Sequence, residues 1–166
     1  MFNEFNIKEY FNFFDEGIKK NIYSELEELD FELVSQERHG HYAHVFKSED
    51  PNLPDDKESY AANFYLAKQR EGSKTFNNEF KEKVIPLLKT NFPELKYFLQ
   101  PNIVKIKNGV YFRAHTDAYA GDIGYTFFFC NSWKWDYGGL LTFVNKDGAF
   151  PIFPHDNKFI LRNEKE

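Results

Sequence analysis

The sequence has a single cysteine, Cys130, in 166 residues. One thiol cannot form an internal disulfide, which excludes a disulfide-stapled secreted scaffold and fits a reducing compartment. No apolar run approaches the roughly 20 residues that a membrane-crossing helix needs. The opening stretch "MFNEFNIKEYF" carries acids where a secretory signal needs bases. Positive charge is in deficit: 21 Lys and Arg, scattered among 26 Asp and Glu, leave a net charge of -5. That balance counts against nucleic acid or an anionic membrane as a partner. No serine elbow, phosphate-binding glycine loop or Cys-x-x-Cys pair occurs, so acyl transfer, nucleotide hydrolysis and thiol redox chemistry lack their usual groups. The expectation is a soluble, cytoplasmic protein, a single domain over 1–166.

Aromatic side chains are plentiful. Twenty Phe, 10 Tyr and 2 Trp make up 19% of the chain, far too much bulky apolar surface for a disordered segment. Ile7, Phe11, Phe14, Ile18, Ile22, Leu26 and Leu29 recur at steps of three and four, which predicts helix, with Asn6 as a cap and Gly17 as a possible division. "FELVS" and "HYAHVF" read as strands. Residues 48–58, "SEDPNLPDDKE", are acidic with two prolines and predict a loop, a candidate lid. Phe76, Phe80, Val84 and Leu88 mark a second helical face, which Pro86 must kink or restart.

From about residue 100 the texture changes to short apolar runs, "NIVKIKNG", "VYFRAH", "YTFFFCN", "LLTFVN", "AFPIF" and "KFIL", punctuated by Gly, Asn and Asp. Short strands at this spacing predict a sandwich or barrel. The layout is α+β. Residues 1–99 form a helical support with some strands and the acidic loop, and 100–166 form a β core that carries the chemistry.

Within that core, "YFRAHTDAYAG" contains one His-x-Asp, His115 and Asp117. In an extended strand, residues two apart share a face, so an imidazole and a carboxylate can aim at one ion. One nitrogen and one oxygen donor suit iron, manganese or zinc better than calcium, and a His-x-Asp with one distant His is the facial triad of non-haem iron(II) oxygenases. With five His and ten Asp in the chain, chance alone supplies about 0.3 such tripeptides, so context must carry the weight. About twenty residues on comes "TFFFCNSWKWDYGGLLTFV", in which Gly138 and Gly139 permit a sharp bend before an apolar strand. Then "PIFPHDNKFIL" supplies a Pro-x-x-Asn-Lys turn into a last apolar run.

In this order, "NG-VYFRAHTD", "TFFFCNSW", "GGLLTF" and "FPHDNKFIL" resemble the iron(II)- and 2-oxoglutarate-dependent dioxygenases of the prolyl-hydroxylase-like branch. The resemblance covers residues 100–161 and extends loosely to the N-terminal helices. It implies a double-stranded β-helix (a jelly-roll, cupin-like fold) with N-terminal helices packed on it. It also implies Fe(II) held by His115 and Asp117, 2-oxoglutarate as co-substrate, and ascorbate as the auxiliary to test. The implied reaction couples decarboxylation of 2-oxoglutarate to hydroxylation of an amino acid or of a prolyl or other residue in a protein. By the same resemblance Phe129 and Leu141 line the co-substrate pocket, although the family often has Tyr at the position of Phe129. An Asp at 117 is unlike the halogenating relatives, which have a small residue there. The family also needs a second His past the last strand and, beyond it, an Arg or Lys for the distal carboxylate. The sequence ends at "LRNEKE" before either, so the expectation is a fragment whose C-terminal β-helix strands are missing. The alternative is a non-catalytic small-molecule or protein-binding module on a degenerate β-helix.

Further residues carry two readings each. Arg113 and Tyr111 share strand parity with His115 and are candidates for contact with substrate, or for ordinary strand-edge pairing. Tyr125, Phe127 and Phe129 share a face of the next strand; such a stripe is usually core, with Tyr125 the member best placed to reach the co-substrate. His155 reads as a turn residue before the last strand. His39 and His41 could form a metal pair, with His44 on the opposite face, or simply sit at a rim. Cys130 reads as a small buried side chain and Trp133 as structural.

Overall fold

The computed structural model describes residues 5–38, 60–68, 72–98, 101–107, 111–112, 123–145 and 147–163. In chain order the elements are β1 (Ile7–Tyr10), α1 (Glu16–Glu27), β2 (Phe31–Arg38) and β3 (Tyr60–Ala67). Next come α2 (Lys74–Glu79), a π-helical turn (Phe80–Val84) and α3 (Ile85–Asn91). The strands β4 (Val104–Lys105), β5 (Tyr111–Phe112) and β6 (Ile123–Phe128) follow. A 3-10 turn (Trp135–Tyr137) then leads to β7 (Leu141–Asn145), β8 (Gly148–Ile152) and β9 (Lys158–Asn163). The class is mixed α+β with antiparallel sheets, as the sequence suggests. Among the described residues no helix is long and apolar enough to cross a membrane. The chain divides into two compact units, one holding β1 and β6 to β9, the other α1 to α3 and β2 to β5.

In the first unit β9 is the central strand of a three-stranded sheet, ordered β1-β9-β6. The registers Glu9↔Ile160 and Thr126↔Ile160 place these residues in one row across the sheet, and Tyr10↔Phe159 and Phe127↔Phe159 place the next row on the opposite face. The hairpin β7–β8 lies against the Ile160 face, where Ile7, Ile152 and Ile160 are buried with Leu141, Phe143 and Phe150 packed around them. Pairing is therefore nested: β6 with β9, and β7 with β8 between them in sequence. The tip of a long hairpin folds back onto its base.

The helix expected from Ile7 onward is corrected here. Ile7–Tyr10 is a strand and the helix starts only at Glu16. Asn6 and Asn12 bracket the strand with φ of 56° and 50°. The left-handed conformation that Asn tolerates breaks a helix at both points. The Asn6 carbonyl accepts the Asn163 N–H at 3.1 Å, so Asn6 extends the sheet and caps no helix. Gly17 sits inside α1 without dividing it.

Asn157 ties this unit together. Its side-chain oxygen accepts the Phe14 N–H at 2.9 Å, its amide donates to the Phe14 carbonyl at 2.7 Å, and its own carbonyl accepts the Phe13 N–H at 3.0 Å. A buried side-chain amide here substitutes for a strand neighbour, and the φ of 54° at Asn157 turns the chain into β9.

In the second unit the expected stripe holds: Phe76, Phe80, Val84 and Leu88 are all buried. At about 100° per residue, a straight α-helix would rotate Leu88 about 120° away from Phe76. The π turn adds one residue and cuts that drift to about 20°. The Ile85 N–H reaches back to the Phe80 carbonyl, and Pro86, which has no N–H to give, enters as an early residue of α3. The strands β4 and β5, expected with the rest of 100–166, pair instead with β3 through Tyr65↔Lys105 and Asn63↔Tyr111.

A clasp joins α1 to the start of α2. The buried Ser73 caps α2, accepting the Phe76 N–H at 3.0 Å, and donates its hydroxyl to Glu25 at 2.7 Å. Thr75 gives Glu25 its N–H at 2.9 Å and its hydroxyl at 2.5 Å. Burial pushes the Glu25 carboxyl up, but the hydrogen bonds from Ser73 and Thr75 outweigh it and hold the carboxyl below its ordinary 4.5. At Gly72, φ is 54° and a Cβ would run into Ile103 Cδ1, so a side chain there meets both backbone strain and a close contact.

Replacing Asn157 by Ala strands the Phe14 N–H and C=O in a buried setting and should cost about 2–4 kcal/mol in urea unfolding. Glu25 stabilises the fold fully above its unfolded pKa, and that contribution disappears as pH falls through the depressed folded value. Stability measured from pH 6 downward should therefore decline below about 4.5. In Glu25→Gln, neutral stability should fall and that part of the acid slope vanish.

Candidate functional site

The residues proposed for the metal, His115 and Asp117, lie outside the described residues, as do Arg113, His39, His41, His44 and the acidic loop 48–58. The backbone of Tyr111 pairs with Asn63 in β5. The remaining candidates are Tyr125, Phe129 and Leu141, all in the unit built on β9.

Tyr125 lies across from Leu161 on the aromatic side of the β1-β9-β6 sheet. Two residues along, Phe127 stacks on Phe159 at 4.4 Å between ring centroids, and Phe14 stacks on Phe127 at 5.8 Å. Phe129, just past the end of β6, lies parallel to Phe14 at 6.2 Å. Tyr10 and Phe13 complete the layer by packing on Phe159 at 5.4 and 4.8 Å. Burial pushes the Tyr125 hydroxyl up to about 12, so it keeps its proton at neutral pH and can donate a hydrogen bond.

Leu141 occupies the other side. It opens β7, opposite Ile152, and packs on the Ile7, Ile152 and Ile160 cluster between sheet and hairpin. The three residues assigned to one co-substrate pocket are thus divided by the sheet, Tyr125 and Phe129 on the aromatic side, Leu141 on the hairpin side. On the hairpin side β6 presents Gly124, Thr126 and Phe128, the parity opposite to the stripe singled out from sequence.

Two cations that sequence reading passed over share that hairpin side. Lys158 is 3% exposed. Its ammonium pairs with the Glu9 carboxylate, donates to the Phe153 carbonyl at 3.2 Å and sits 4.9 Å from the centre of the Phe11 ring. Arg162, four residues on, lays its guanidinium carbon 4.4 Å from the centre of the Phe143 ring. Alternation in "KFILRN" carries the signal that could have found them, since Lys158, Ile160 and Arg162 share a face. What alternation does not show is that Glu9, 149 residues earlier in the chain, would supply the carboxylate.

The surrounding groups make local contacts. The Trp133 ring N–H donates to the Gly138 carbonyl at 2.9 Å. Gly138 and Gly139 have φ of 69° and 73°, the consecutive left-handed turn that glycine permits. His155 sits in the turn before β9, exposed, its N–H on the Phe153 carbonyl at 2.8 Å and its ring against Phe11, Trp133 and Phe153. Burial raises the Cys130 thiol, and the Asp156 charge raises it further, so a thiolate nucleophile is disfavoured there. Among the described residues no three His, Cys, Asp or Glu side chains gather to hold a metal.

Replacing Lys158 by Met leaves Glu9 without its cation and the Phe153 carbonyl with the His155 N–H but without the ammonium. The cost should be about 2–3 kcal/mol, softened by the partial exposure of Glu9. A double-mutant cycle with Glu9→Gln should return a coupling of about 1 kcal/mol or more.

Compared with known proteins, the chain matches no family model, no curated protein and no solved structure.

Proposed function

We propose that the chain is the core of an iron(II)- and 2-oxoglutarate-dependent oxygenase built on a double-stranded β-helix. One structural observation supports this reading most. After the His-x-Asp segment the strands pair in a nested fashion, β6 with β9 and β7 with β8, and the inner hairpin folds onto the outer pair. A jelly-roll is a long hairpin folded over in this way. The motif "FPHDNKFIL" supplies the turn and the strand β9 of that nest.

His115 and Asp117 would hold the iron as one imidazole and one carboxylate donor, a set suited to Fe(II) with positions left open. Bound iron would supply the oxidising chemistry by which oxygen, 2-oxoglutarate and a substrate C–H bond give succinate, carbon dioxide and the C–OH product. The protein's own part would be to orient and to exclude water. Ile7, Ile152, Ile160 and Leu141 form a dry wall between sheet and hairpin for that purpose. Arg113 and Tyr111 are the residues for substrate contact, and the substrate class is a free amino acid or a prolyl or other residue of a peptide.

The test is an anaerobic titration of Fe(II) into the chain with 2-oxoglutarate, followed by visible absorption, beside His115→Ala. A weak metal-to-ligand charge-transfer band should grow to saturation in the wild type. In the variant it should be absent, with iron affinity down roughly tenfold or more. Saturation of both proteins with no band in either would overturn chelation of 2-oxoglutarate by this chain and favour a binding module.

A further inference from the structure

We draw no further inference here: the strongest candidate, the ring cluster of Phe11, Trp133, Phe153 and His155 on the surface of the β1-β9-β6 unit, with Phe11 59% exposed, carries nothing because nothing in the structure shows what covers it.

Discussion

The first unit depends on one side chain, the amide of Asn157. A strand at the start of the chain and a strand near residue 160 must find each other across almost the whole sequence, at the cost of closing a very long loop. Pairing β1 with β9 recovers backbone hydrogen bonds, but the chain leaves β1 at Asn12 and its next polar groups would be buried unpaired. Asn157 meets them with a donor and an acceptor in the geometry of a peptide group. It does so from a left-handed turn, a conformation that Asn accepts more readily than most residues. Aspartate could accept from Phe14 but not donate to it, and glutamine would place the amide a methylene too far out.

From that anchor the two faces of β9 diverge in character. One face is a stack of rings, Phe159 in contact with Tyr10, Phe13 and Phe127, where planar side chains gain from offset and edge-on packing beyond the area they bury. The other is aliphatic between two cations, Lys158 and Arg162, which are partnered in unlike ways. Lys158 has a carboxylate and a carbonyl, whereas Arg162 spreads its charge over an aromatic face. The hairpin covers this second face, so its aliphatic cluster is the neighbour of the buried Lys158 and the half-buried Arg162. Electrostatic interactions are strengthened in such surroundings, provided each charge is matched.

The second unit obeys a comparable rule at a helix boundary. Glu25 lies in the last turn of α1, where the helix dipole disfavours a carboxylate. The exposed N–H groups at the beginning of α2 favour one, and Ser73 and Thr75 deliver them. A charge that is misplaced on its own helix becomes the link to the next. Further along, Pro86 and the π turn together keep four apolar residues in line.

The sequence by itself determined those features whose cause is local. The stripe from Phe76 to Leu88, the strand at "FELVS", the interruption at Pro86, the glycine bend before β7 and the Asn-Lys turn before β9 all follow from residue type and spacing over a few positions. Tertiary structure decided the rest. Ile7 and Phe11, four residues apart, fit a helical period as well as an alternating one, and only the presence of β9 alongside makes Ile7–Tyr10 a strand. Likewise, alternation shows that Tyr125, Phe127 and Phe129 share a face. It does not show that the hairpin bearing Leu141 packs on the other. Each of these choices depends on which distant segment supplies the hydrogen bonds and the buried surface, and a short stretch of sequence carries no record of its partner.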